Sequence, residues 1–167
     1  AGVSFSHDGT FTDQWANGAV RFKIARLNYL TFGGTQWHEL YAGERFTTGE
    51  GYFRLFSSAI DVFRFSIRGN VAGEVNYDPE DLFLGPSWEI SGEILLRILR
   101  RLSVDVSATH HAMFRPDGDP HYDIQIVRAG ALLCLTRDLW IRTVAEVNTY
   151  DQDLDVEILL GYTPEPG

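Results

Sequence analysis

The 167-residue chain has one cysteine, Cys134, so no disulfide can form within it. It has one methionine and six prolines, and no glycine- or proline-rich linker divides it. No apolar run reaches the roughly 18 residues that a membrane-spanning helix needs. Cations are scarce: 14 Lys and Arg stand against 23 Asp and Glu, for a formal net charge of -9. That balance argues against nucleic acid as a partner, because a phosphate backbone selects a basic surface. The chain lacks an initiator Met and a signal-peptide pattern, which fits a mature chain or an excised fragment. Motifs for a nucleophile elbow, a phosphate loop, a dinucleotide fingerprint and a paired-cysteine metal site are missing.

Aromatics make up 13% of the residues and hydrophobics 44%, enough for an ordered fold. Their order has period two. From Phe63 to Tyr77 the odd positions are Phe63, Phe65, Ile67, Gly69, Val71, Gly73, Val75 and Tyr77. The residues between them are Arg64, Ser66, Arg68, Asn70, Ala72, Glu74 and Asn76. Successive strand side chains point to opposite faces, so one face is apolar or glycine and the other polar or small. The alternation returns over 88–97, 102–108, 139–148 and 154–162. It is weaker over 127–135, where both faces are apolar or small, and it slips by one near Ala25, as at a bulge or turn.

The breakers predict short turns at Leu30–Gly34, Ser57–Asp61, Ile98–Arg101, Leu135–Asp138 and Thr163–Gly167. Longer loops are expected at His7–Gly18, Ala42–Gly51, Asp78–Ser87, His111–His121 and Tyr150–Asp153. The two kinds alternate along the chain. The expectation is an all-β, antiparallel up-and-down meander of about ten strands, one domain over 1–167, with hairpins every 30–40 residues or so.

Alternation does not say which face is inside. Three features favour an outer-membrane-type β-barrel, or part of a larger one. The strand at 63–77 suits a tilted span, the connections are short at one end and long at the other, and aromatics sit toward strand ends. On this reading Tyr77, Trp88, Tyr122, Trp140 and Tyr162 form the interface belt, joined by Phe63 and Tyr150. Ordinary strand propensity also places aromatics there. Arg64, Arg68, Glu74, Glu89, Glu93, Asp105, Arg142, Glu146 and Glu157, with Arg128, are the candidates to line the lumen. The long loops hold Asp78, Glu80, Asp81, Asp117, Asp119, Asp151 and Asp153, and the short turns Arg97, Arg100, Arg101 and Arg137. An acidic rim of that kind either bridges divalent cations to lipid phosphates or is simply a solvated face.

Several segments together resemble a known family. They are 51–58 (GYFRLFSS), 77–80 (YDPE), 83–89 (FLGPSWE), 100–105 (RRLSVD) and 126–129 (IVRA), then 135–139 (LTRDL), 148–151 (NTYD) and 162–167 (YTPEPG). In this order they are similar to the C-terminal β-barrel region of an uncharacterised bacterial outer-membrane family. Members of that family often carry an N-terminal family 9 carbohydrate-binding-like module. The resemblance covers residues 43–167 well and 1–42 loosely. It implies a barrel in the bacterial outer membrane and supplies no catalytic residue. The family continues past the Pro-x-Pro-Gly turn into a further strand, and it tends to be polar where this chain has Gly130, Leu132 and Cys134.

Chemistry-bearing residues are few. His110 and His111 precede a loop that ends at His121, with Asp117 and Asp119 nearby. Adjacent strand histidines point to opposite faces, which opposes a shared metal. Pro116–Pro120 reads as a tight turn rather than a calcium loop. His7, Asp8, Asp13 and His38 lie near the first loops, where a rim hydrolase would place them. The first expectation is a structural or pore-type outer-membrane barrel that is not an enzyme and has no cofactor or metal. Its partners are membrane lipid and either the rest of a larger barrel or other subunits. The alternative is a soluble barrel or sandwich that binds an apolar ligand or serves as an accessory subunit.

Overall fold

The computed structural model describes residues 2–5, 11–25 and 27–163. It is all-β: ten antiparallel strands pair in sequence order in one sheet. They are β1 (Gly2–Phe5), β2 (Phe11–Ala25), β3 (Asn28–Tyr41), β4 (Glu44–Ile60), β5 (Phe63–Asn76), β6 (Phe83–Leu99), β7 (Leu102–Phe114), β8 (Pro120–Cys134), β9 (Leu139–Asn148) and β10 (Asp153–Tyr162). From β2 onward the strands run 10 to 17 residues, longer than the five or six usual in globular sheets. β1 and β10 stand at the two edges, and among the described residues no pairing joins them. None of the described residues forms a helix long and apolar enough to cross a membrane.

Several connections differ from the sequence expectation. Leu30–Gly34 is not a turn but the interior of β3, and β2, which ends at Ala25, instead pairs with β3 from Asn28. The glycines misled because they are needed inside the strand. The ring of Tyr52 lies where a Gly33 side chain would be, and a Cβ on Gly34 would meet the Glu50 carbonyl oxygen at 2.9 Å. The phase slip near Ala25 is a register shift between Lys23 and Ala25. Ala42–Gly51 is not a long loop either. Ala42 and Gly43 form a two-residue hairpin with φ of 50° and 83°, the type I′ signature that matches strand twist. Residues 11–18 belong to β2, and His7 and Asp8 lie outside the described residues. The remaining connections at that end are 77–82, 115–119 and 149–152, shorter than expected for the first two, so loop asymmetry is modest.

Register sorts the side chains into two faces. One row runs Phe22, Leu30, Leu55, Ile67, Gly92, Ala108, Val127, Val147, Leu154 from β2 to β10, without a polar residue. The next runs Phe65, Ile94, Val106, Ala129, Ala145, Val156. The opposite face carries Ser66, Glu93, Ser107, Arg128, Glu146, Asp155 in one row and Arg64, Leu95, Asp105, Gly130, Val144, Glu157 in another.

The apolar face is uncovered. Val71 is 64% exposed, Val127 47% and Ile158 70%. Among the described residues the buried hydrophobics are only Phe46, Val75, Ala112, Met113 and Val144. Of these, Phe46 and Met113 lie on the polar face toward the 77–82 and 115–119 loops, alongside buried Thr48 and Ser87. The chain exposes 11719 Å², whereas a folded monomer of 18.9 kDa exposes about 8,300 Å² by size scaling. The excess follows from leaving one whole sheet face and both edges unpartnered.

Candidate functional site

The polar face is where side chains converge. Glu74 on β5, His111 on β7 and Tyr122 on β8 meet over β6, where Gly85 and Ser87 leave room. Tyr122 Oη donates to Glu74 Oε1 at 3.0 Å, and His111 Nε2 lies 3.1 Å from Glu74 Oε2. Tyr122 Oη is also 3.2 Å from His111 Nε2. Bridging from β5 to β7 and β8 draws the sheet inward on this face. Glu50 on β4 accepts from Asn70 at 3.2 Å and from Arg68 at 3.4 Å.

All nine lumen candidates share this face by register: Arg64, Arg68, Glu74, Glu89, Glu93, Asp105, Arg142, Glu146 and Glu157. Among the described residues only Arg68 and Glu74 of these make an ion pair, to Glu50 and His111. Of the others, Arg64, Glu93, Arg142 and Glu157 are exposed, while Glu89, Asp105 and Glu146 are half-buried, the Asp105 carboxylate lying over Gly130.

The aromatic belt is less regular than expected. Trp88 and Tyr162 lie on the apolar face by register. Tyr122 and Trp140 do not: Tyr122 is held inward by Glu74, and Trp140, opposite Gly161, shares the polar face with Arg142. The Trp140 ring fills the space over Gly161, which a side chain there would contest. Tyr77 donates to Glu39 at 2.7 Å, beside an edge-on Tyr41 ring.

The adjacent histidines separate as alternation requires. His110 sits on the apolar face, 2.8 Å from Asp123 and edge-on to Trp88, while His111 points the other way. Among the described residues no three His, Cys, Asp or Glu side chains cluster as a metal site would need. His38 bonds Thr47 at 2.8 Å across β3 and β4.

The acidic loops are locally engaged. Arg115 grips Asp81 with both terminal guanidinium nitrogens, at 2.9 and 2.5 Å, and lies over the Phe83 ring at 5.0 Å. This ties loop 77–82 to loop 115–119. Asp78 and Asp117 cap their own turns, accepting from the backbone of Glu80 and Asp119. Residues 115–119 form the tight turn expected over Pro116–Pro120, with Gly118 at φ 94°. The motif at 135–139 is a turn closed by Thr136, whose hydroxyl accepts from Asp138 and Leu139. The sequence signalled neither the Asp81–Arg115 pair nor the Glu74–His111–Tyr122 cluster, because each brings together groups from different hairpins, 34 or more residues apart.

The Arg115 hydrogen bonds hold the Asp81 carboxyl below its ordinary pKa of 3.8. A carboxyl with a lowered folded pKa contributes stability above its unfolded pKa and loses it as pH falls through the folded one. The latch is therefore intact at neutral pH and opens in acid, below pH 3.8. The expected result is that amide protection in both loops, measured against the intrinsic exchange rate at each pH, falls there. Arg115→Gln should return the Asp81 titration to its ordinary range by NMR and make the exchange insensitive to that step. Unchanged Asp81 titration in Arg115→Gln would refute the assignment.

Comparison with protein families, curated proteins and solved structures finds no match to this chain.

Proposed function

We propose that the chain is an outer-membrane β-barrel, or one wall of a larger barrel, with a structural or pore-type role. One observation carries this: a largely apolar face, with one cross-strand row free of polar residues from β2 to β10, lies on the outside of a sheet whose polar face draws together. Water-soluble monomers rarely expose apolar patches beyond a few hundred Å². A bilayer turns that exposure from a cost into the driving force.

The dimensions agree. From Trp88 to Leu96 on β6 is roughly 27 Å of strand, and the Leu102, Leu133, Ile141, Leu160 row adds about 7 Å. At a barrel tilt of 35–45° this corresponds to about 25 Å along the membrane normal, the height of a lipid-facing band. Nearer the 77–82 and 115–119 loops the same face turns polar, with Gln36, His38 and Asp123. The soluble alternative needs the opposite curl, with apolar residues inward. A rim hydrolase needs a nucleophile beside its base, and the hydroxyl that His111 meets is a phenol already bonded to Glu74.

The test is to purify the full chain with and without detergent and compare its gel mobility before and after boiling. Aggregation without detergent and a compact, fast-migrating unboiled band are expected. A monodisperse protein in plain buffer would overturn the membrane reading.

A further inference from the structure

The polar face of β2–β5 bears a row of cations. Arg21, Thr31, Arg54 and Arg68 are successive register partners, so three guanidiniums share one cross-strand row. Arg54 and Arg68 stand directly opposite each other, an arrangement that is destabilising unless something neutralises it. Glu50 takes Arg68. Among the described residues no carboxylate pairs with Arg21 or Arg54. Arg21 donates Nε to Thr31 Oγ1 at 3.3 Å and lies 5.9 Å from the Tyr29 ring centre. A hollow of about 270 Å³ opens between these groups, lined by Arg21, Tyr29, Thr31, Arg54 and Phe56. The Tyr29 and Phe56 rings are tilted 6.3 Å apart along one side of it.

We propose that this hollow binds a small oxyanion carried on a ring, of the class of phosphorylated or carboxylated sugars. Two unpaired guanidiniums offer charge-assisted, fork-shaped hydrogen bonding to phosphate or carboxylate. The flanking aromatics offer a flat apolar surface to the ring. An anion there relieves the repulsion along the row, which gives the site its selectivity for charge. The site rests on the reading that this face lines a water-filled lumen. Along the neighbouring row of the same face, Glu93, Glu146 and Asp155 occupy β6, β9 and β10 with Arg128 between them, so the cation there stands opposite a carboxylate, unlike Arg21 and Arg54.

The probe is glucose 6-phosphate, titrated calorimetrically into the detergent-solubilised full chain at low ionic strength. Saturable binding is expected, absent for glucose and lost at about 0.5 M salt, where exposed charges are screened. Arg54→Gln and Arg21→Gln should each weaken it at least about tenfold, the scale of losing one charge-assisted pair. Phe56→Ala should bring glucose 6-phosphate down to the affinity of inorganic phosphate. If Arg54→Gln does not give the fast-migrating folded band, Arg21→Gln carries the test. No binding by the wild type, or unchanged binding in a folded arginine variant, overturns the site. A detergent-dependent barrel that fails to bind overturns the site alone. A protein monodisperse without detergent that still binds overturns the membrane reading and leaves the site standing.

Discussion

Val106→Arg should destabilise the folded barrel by about 2–4 kcal/mol, whereas Ser107→Arg, one residue along the same strand, should be nearly neutral. The contrast follows from register. Val106 lies between Ile94 and Ala129 on the apolar face and is 41% exposed. Ser107 lies between Glu93 and Arg128 on the polar face, where a new guanidinium gains a carboxylate neighbour as well as a cationic one. In water an arginine at a partly exposed position costs little, since surface substitutions fall within about 0.5 kcal/mol. At the middle of a lipid-facing band it must drag water into hydrocarbon or displace the strand. Urea titrations in lipid or detergent, followed by the fraction of unboiled fast-migrating band, measure the difference. Equal midpoints for the two variants would show that the apolar face does not meet lipid. The pair also controls for strand propensity, because both introduce the same residue into β7.

Gly85→Ala is expected to cost about 1–3 kcal/mol, the range for overpacking a tight site. Gly85 lies in β6 beneath the end of β7, and a Cβ there would collide with the carbonyl oxygen of Phe114. That carbonyl belongs to backbone anchored on the next residue: Arg115 donates its amide to Asp119 and its guanidinium to Asp81. The methyl therefore has to push two strands apart beside the Glu74–His111–Tyr122 cluster. Gly69→Ala is the control. There the obstacle is the Phe53 ring, a side chain 37% exposed that can swing toward the open face, so the loss should be smaller. Glycine under an aromatic ring is a common device of twisted sheets. Melting of the heat-modifiable band ranks the two variants. A Gly85→Ala protein as stable as wild type, with Gly69→Ala the weaker, would reverse the account of which contact is rigid.

The period-two alternation by itself determined β5, β6, β7, β9 and β10 and the face each of their residues takes, and the breakers between them implied the antiparallel order. The nine charged residues expected to share a surface do share one, because a strand offers only two directions and the hairpins preserve parity across the sheet. Turns were legible where local chemistry makes them, as at Thr136 and Gly118. They were misread at Gly33 and Gly34, because glycine there answers a neighbouring strand's Tyr52 ring and Glu50 backbone rather than a bend. Ala42 hid a tight hairpin, because alanine gives no sign of a positive φ. Only the tertiary structure decided which groups meet across an intervening strand. The Asp81–Arg115 latch, the Glu74–His111–Tyr122 cluster and the inward turn of Tyr122 and Trp140 all depend on how the sheet curls. Curl is a property of many strands together, while alternation is a property of one.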